Sequence, residues 1–245
     1  MKAALIGKNI QYSLSPIIHQ YISKKYSLNY HYQVIDTDNL KEIDFFSYLF
    51  LNITTPYKET MLDIMVKDDV VNNVSATNLV VPKNNQLYAF NTDYLGFLAL
   101  LKINKINIKN KKIFILGYGG AAKAVAYAIK NENPTIVVKT DAKRKPSNYL
   151  VYENLIDEYP DIIINATPNK EVLSKDLFNN KTISSALLID LNYNPSPTYL
   201  MTYFKNSIDG LDMLIAQAFL GVKIAFNNDK IVYEKEDQIK IRKLL

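Results

Sequence analysis

The sequence predicts an α/β protein made of strand–helix units around largely parallel sheet. Three observations predict it. Short apolar runs bounded by turn residues alternate with helix-like stretches. Three of the seven glycines fall at 117, 119 and 120, directly behind one apolar run. A long apolar helix near the end of the chain has no strand after it to pack against. With 245 residues, 48% of them hydrophobic, the chain can fill one large domain or two modest ones.

The elements follow in order. A first strand over 2–6 ends at Gly7. Ser15 has the chemistry of an N-cap and Pro16 that of a first helical residue, so a helix is expected over 16–25. Strands are expected near 29–35 and 46–52. Pro56 restarts a helix to about residue 66, which places Lys58 in its first turn. Segments 76–81 and 86–90, joined through Asn84-Asn85, read as a hairpin. A helix over 94–103 leads into a Lys/Asn-rich segment, 102–112, that suits a domain joint. Ile113-Phe114-Ile115-Leu116 then opens a second block, with a helix over 121–130, strands near 135–138, 161–165 and 187–190, and the last long helix over 211–226.

Composition removes several functions. Cysteine is absent, which excludes disulfides and thiolate chemistry, and two histidines, His19 and His31, make no metal site. The net charge of +5 comes from lysines spread along the chain, with only Arg144 and Arg242 as arginines. That pattern suits a small anionic partner better than nucleic acid. No apolar run reaches the length of a membrane span, and the first twenty residues carry no signal pattern. The expected setting is the cytoplasm.

The glycine cluster has a physical logic. An apolar strand followed by Gly117-x-Gly119-x-x-Ala122 fits the turn that cradles a dinucleotide pyrophosphate. Gly117 makes the turn, Gly119 admits a close backbone approach, and the following helix offers free N–H groups and a positive dipole end. Past the next strand, Lys139, Lys143 and Arg144 outnumber Asp141, which favours the 2′-phosphate of NADP over the ribose diol of NAD.

A second set of residues is polar and sits at strand ends. Ser13 and Ser15 point the same way in an extended segment. Asn52-Ile53-Thr54-Thr55-Pro56-Tyr57-Lys58 leaves a buried strand through polar groups, and a lysine in a first helical turn would oppose the dipole. Ala76-Thr77-Asn78 and Asn91-Thr92-Asp93 flank the hairpin, where Asp93 also suits an N-cap. Gln217 lies on an otherwise apolar helix face and needs polar partners.

Taken in order, these segments resemble the shikimate and quinate dehydrogenase family, together with Asn165-Ala166-Thr167-Pro168, Asp190-Leu191-Asn192-Tyr193-Asn194-Pro195 and Gly210-Leu211-Asp212-Met213. The resemblance implies two domains: an α/β substrate domain of residues 1–93 plus 214–245, and a Rossmann-type NADP-binding domain of residues 94–213, with the C-terminal helix returning to the first. It implies Lys58 and Asp93 as the catalytic pair and Ser13, Ser15, Asn52, Thr54, Asn78, Tyr193 and Gln217 around shikimate. It places Gly117, Gly119, Gly120, Ala121, Lys139, Thr140, Lys143, Ala166, Thr167, Gly210 and Met213 along NADP(H). No metal is implied, and neither histidine is a proton donor. The implied reaction is reversible NADPH-dependent reduction of 3-dehydroshikimate to shikimate by a monomer or homodimer. The alternatives are a quinate-using enzyme linked to NAD and a ligand-binding homologue without catalysis. Departures from the family pattern are Val138-Lys139-Thr140 for the usual Asn-Arg-Thr, Asp212 for a glycine, Tyr118 for a small residue, and shortened loops near 142–152 and 168–185.

Overall fold

A computed structural model describes residues 1–168 and 173–245, so part of the second shortened loop lies outside the described residues. The chain divides into two compact units, Met1–Ala99 with Leu214–Leu245, and Leu100–Met213.

The first unit is built on a mixed sheet. Its strands are β1 (Lys2–Gly7), β2 (His31–Asp36), β3 (Phe50–Ile53), β4 (Val66–Lys67), β5 (Leu79–Lys83) and β6 (Gln86–Phe90), ordered β2-β1-β3-β5-β6-β4. Both β2 and β3 run parallel to β1, whereas β5 is antiparallel to β3 and to β6. Ala3 to Ile6 and Phe50 to Ile53 are buried throughout, as expected of strands covered on both faces. The hairpin turn holds Asn84 and Asn85 at φ 50° and 57°, the sign a type I′ turn requires.

The register decides what this unit can position. Ile6 pairs with Ile53, Asn52 with Leu79, and Leu79 with Phe90. The exits of β1, β3 and β6 and the entry of β5 therefore share one edge of the sheet. Helix α1 (Ser15–Lys25) starts beyond the β1 exit and α3 (Asp93–Ile103) beyond the β6 exit. Helix α6 (Leu211–Ala225) runs into this unit, where Phe219 is buried against the Tyr26 and Tyr233 rings. Burying one such ring is worth roughly 1.5–3 kcal/mol.

Two expectations need correction. No α-helix covers 56–66; the segment forms two short 3₁₀ turns, Tyr57–Glu59 and Leu62–Ile64. The Lys58 carbonyl accepts from the Thr77 N–H at 2.7 Å, and the Thr60 hydroxyl donates to the Tyr57 carbonyl, so both acceptors have bonds outside an α-helical pattern. Lys58 is thus not at a helix N-terminus, and the dipole conflict disappears. Ser15 is not an N-cap either: Leu14 holds that position without a side-chain cap, and Ser15 is the first helical residue. The short helices α2 (Asp69–Val74), capped by Asp68, and α7 (Lys235–Arg242), with a Glu234/Asp237 capping box, add to the expected set.

The second unit is a six-stranded, fully parallel sheet. Strands β7 (Ile113–Leu116), β8 (Thr135–Val138), β9 (Leu150–Val151), β10 (Ile162–Asn165), β11 (Leu187–Asp190) and β12 (Asn206–Asp209) lie in the order β12-β11-β10-β7-β8-β9. The chain winds outward from β7 in one direction through β8 and β9, then crosses to β10 and winds the other way. That reversal places a topological switch point between β7 and β10, where open parallel sheets bind ligands at the strand exits. Helix α4 (Gly120–Ala128) begins just past β7, and α5 (Asn180–Ser185) precedes β11. Phe114, Leu116, Val137, Ile163 and Leu188 fill one face of the core. Among the described residues no helix is long and apolar enough to cross a membrane.

Candidate active site

At the shared edge of the first unit a lysine and an aspartate meet. Lys58 Nζ lies 2.6 Å from Asp93 Oδ2, with side chains 17% and 7% exposed, so water screens the pair only weakly. Asp93 opens α3, yet its oxygens are engaged elsewhere: Oδ1 accepts from Asn78 Nδ2 at 2.8 Å and Oδ2 from Lys58. The N-cap reading of Asp93 does not hold. Its own N–H donates to Asn91 Oδ1 at 3.0 Å, which fixes the start of the helix and with it the carboxylate.

Asn78 organises this edge. Its Oδ1 accepts from the Thr92 N–H at 2.6 Å, and its Nδ2 lies 2.9 Å from Thr92 Oγ1 and 3.2 Å from Gln217 Oε1. Gln217 in turn donates to the Leu214 carbonyl at 2.9 Å. The polar demand of the buried Gln217 is met by these neighbours. Asn52 anchors the assembly from below: Nδ2 donates to the Asn78 carbonyl at 3.2 Å, and Oδ1 accepts from Tyr32 OH at 2.8 Å. Thr92 and Tyr32 thus join a network in which sequence reading gave them no part. Thr92 stood inside a quoted motif, whereas Tyr32 had no signal beyond its place on a strand.

The hydroxyl residues behave differently. Ser13 Oγ donates to Ser15 Oγ at 3.1 Å and accepts from the Ser15 N–H at 3.2 Å. Thr54 leaves β3 against Gly7, where an added Cβ would come within 2.6 Å of Thr54 Cγ2. Glycine at 7 therefore lets the Thr54 segment lie close to the β1 exit. Thr54 is half-buried there, and its hydroxyl makes no hydrogen bond to the described residues.

His19, buried at 1% exposure in α1, is stacked on Tyr32 with centroids 3.7 Å apart. Its Nδ1 pairs with Tyr30 OH at 3.0 Å, while Nε2 is buried without a hydrogen-bond partner among the described residues. Burial pushes its pKa down to about 3, against a smaller upward pull from Asn52. It is a neutral packing residue, and His31 lies on strand β2.

The second unit gathers its candidates at the strand exits. Gly117 follows β7 at φ +98°, and a Cβ there would press on the Ala166 carbonyl and on Thr167 Cγ2, each at 3.3 Å. Gly119 caps α4 without a side-chain bond, and a Cβ there would meet nothing within 4 Å. Gly120 and Ala121 form the first turn behind it. An open glycine backed by the free N–H groups of a nine-residue helix fits a pyrophosphate.

The neighbouring loops are held by buried polar bonds. Thr167 N–H and Oγ1 both donate to Asn165 Oδ1, at 3.1 and 2.7 Å, and Asn165 Nδ2 donates to Asp190 Oδ1 at 3.0 Å. Thr198 Oγ1 donates to Asp190 Oδ2 at 2.5 Å. Burial raises the Asp190 carboxyl, opposed by these donors. Gly210 packs on the backbone of Leu191, and its N–H donates to the Asn192 carbonyl at 3.1 Å. Asp212, the departure from the family glycine, is buried and accepts from Asn104 Nδ2 at 2.8 Å. Met213 is buried beside it, and Tyr193 is half-buried in the loop after β11. Lys139, Thr140 and Lys143 lie exposed past β8. Among the described residues no cluster of three His, Asp or Glu side chains can hold a metal ion.

A doubly wound parallel sheet with this strand order and glycine turn is the dinucleotide half of many dehydrogenases. The lysine–carboxylate edge on a separate α/β unit narrows the class to dehydrogenases that carry their substrate chemistry on a second unit. Comparison with known proteins names the family. A model of the shikimate dehydrogenase substrate binding domain matches residues 5–80. The shikimate dehydrogenase (NADP(+)) of Clostridium botulinum (strain Loch Maree / Type A3) is 34% identical over 89% of this chain and 93% of its own. Shikimate dehydrogenase 1 from Peptoclostridium difficile superposes with a TM-score of 0.84 at 27% identity, over 99% of this chain and 97% of that one. A shikimate dehydrogenase solved with NADP+ superposes with a TM-score of 0.78 at 27% identity, over 98% and 94%. The chain belongs to the shikimate dehydrogenase family.

Proposed function

We propose that this chain is an NADP-linked shikimate dehydrogenase that interconverts 3-dehydroshikimate and shikimate, with substrate on the first unit and cofactor on the second. The observation that carries the reading is the 2.6 Å pair of Lys58 and Asp93, held by Asn78 at one sheet edge. The names of its relatives and the NADP+ in a 27% identical structure support the cofactor.

The glycine turn and the start of α4 would hold NADPH, which would supply the hydride for the ketone carbon. Reduction leaves an electron pair on the carbonyl oxygen, and the Lys58 ammonium stabilises that charge and gives up one proton to it. Asp93 keeps the ammonium aimed, and Asn78 keeps Asp93 from turning toward the α3 N–H groups. Ser13, Ser15 and Thr54 hold the substrate's carboxylate and hydroxyls. Gln217 and the Asn52-supported Asn78 complete its surroundings on the first unit. Lys139, Thr140 and Lys143 meet the adenosine end of the cofactor, with Ala166, Thr167, Gly210 and Met213 toward its other end.

The test is absorbance at the reduced-nicotinamide band with shikimate and each nicotinamide cofactor. Shikimate-dependent NADP+ reduction is expected. Lys58→Ala should lower kcat by roughly 10²–10⁴-fold and change the shikimate KM much less. Near-normal turnover in that variant rules out Lys58 as the proton donor, and shikimate binding without any turnover in the unmodified protein overturns the enzymatic reading.

A further inference from the structure

The register of the second unit brings a carboxylate to a turn that the sequence fills with cations. Parallel strands β8 and β9 pair Val138 with Val151. Thr140 and Glu153 stand equally far past that rung, each at a strand exit. There the Thr140 hydroxyl donates to Glu153 Oε2 at 2.8 Å, and Lys145 Nζ donates to the Thr140 carbonyl at 2.6 Å. This is the corner of a dinucleotide fold where the ribose is read. An acidic group there accepts from the ribose diol, whereas a basic one takes a 2′-phosphate. The Glu153 backbone N–H and the Thr140 hydroxyl hold the carboxyl below the ordinary range, so it is anionic at neutral pH.

We propose that Glu153 is a specificity-determining residue for the cofactor: its carboxylate, fastened to the Thr140 hydroxyl, opposes a 2′-phosphate and narrows the preference for NADP(H) over NAD(H). The inference rests on the dehydrogenase reading above. It follows from two effects that act together. The Thr140 proton is committed to Glu153, so it must be released before Thr140 can donate to a phosphate. A fixed negative charge also stands within one hydrogen bond of that hydroxyl and repels a dianion across a few ångströms. Lys139 and Lys143 supply the attraction, and Glu153 offsets part of it.

The experiment titrates the full chain calorimetrically with NADP+, NAD+ and adenosine 2′,5′-bisphosphate, for the unmodified protein and for Glu153→Gln. Steady-state kcat/KM for shikimate with each dinucleotide accompanies it. Glutamine keeps an acceptor for Thr140 and removes the charge. Loss of one like charge at such a range in a solvent-exposed setting should tighten NADP+ and the bisphosphate by about three- to tenfold and leave NAD+ unchanged or weaker. The gain should shrink as salt is raised. Glu153→Lys, a second variant, should widen the NADP+/NAD+ ratio further. An unchanged ratio in both variants, or weaker NADP+ binding in Glu153→Gln, overturns the assignment while leaving the dehydrogenase reading intact. Failure of the unmodified protein to bind either dinucleotide overturns both.

Discussion

Asp93 accepts one bond from a charged donor and one from an amide, which lets the two contributions be separated. Asp93→Asn keeps the shape and removes the charge. A hydrogen bond to a charged group is worth about 1.5–3 kcal/mol net, so kcat should fall roughly ten- to hundredfold. Combining it with Lys58→Ala should add little, since the two act as one unit; kcat of the double variant checks this. His19 makes a different prediction. Its folded pKa is about 3 against 6.5 for an ordinary histidine, so the unfolded chain binds a proton that the folded one refuses. Stability from this group is therefore full above about pH 6.5 and is lost as pH falls toward 3. At about pH 5 the loss is roughly 2 kcal/mol. Urea unfolding of the unmodified protein and of His19→Gln at about pH 8 and pH 5 should show the variant with the smaller difference.

At the scale of elements, the glycines at strand exits divide into those that serve packing and those that leave room. A Cβ at Gly210 would lie 2.2 Å from the Leu191 carbonyl oxygen, a backbone atom that cannot yield. Gly210→Ala should cost about 1–3 kcal/mol or more, a clear fall in Tm. Gly119 has a φ any residue adopts and open space beside it. Gly119→Ala should cost less than about 1 kcal/mol, as a changed N-cap, yet weaken NADP+ binding. Calorimetric unfolding beside NADP+ titration separates the two cases. The same division explains what could be read in advance. The β7–glycine–α4 segment was legible because strand, turn and helix signals are all local to it. The 56–66 segment was not, because Lys58 gives its carbonyl to Thr77, a bond across the fold that no local pattern announces. Ser15 looked like a cap because its residue type fits, but the helix begins one residue earlier than that role requires. Strand β9 has two residues and β12 reads Asn-Ser-Ile-Asp, too short or too polar to register as strands.

At the scale of the whole molecule, nearly every proposed substrate group belongs to the first unit and every proposed cofactor group to the second, with Tyr193 as the exception. Each unit has a sheet and core of its own, so thermal unfolding should resolve into two transitions. Shikimate should raise one and NADP+ the other, each by about 2.7 kcal/mol at a hundredfold excess over Kd; differential scanning calorimetry with each ligand alone checks this. Both units were legible as α/β from their apolar runs. The groups that share the Asn78 network, and the approach of Glu153 to Thr140, depend on register and emerged only with the strand pairing.

The first unit is also interrupted: its sheet is complete by Phe90, but Gln217, Phe219 and Asp237, which bonds Lys25 and Tyr21, arrive only with residues 214–245. Residues 214–245 must therefore leave the ribosome before this sheet edge can set, and a nonsense codon ahead of Gln217 would remove a member of the Asn78 network along with the partner of Lys25.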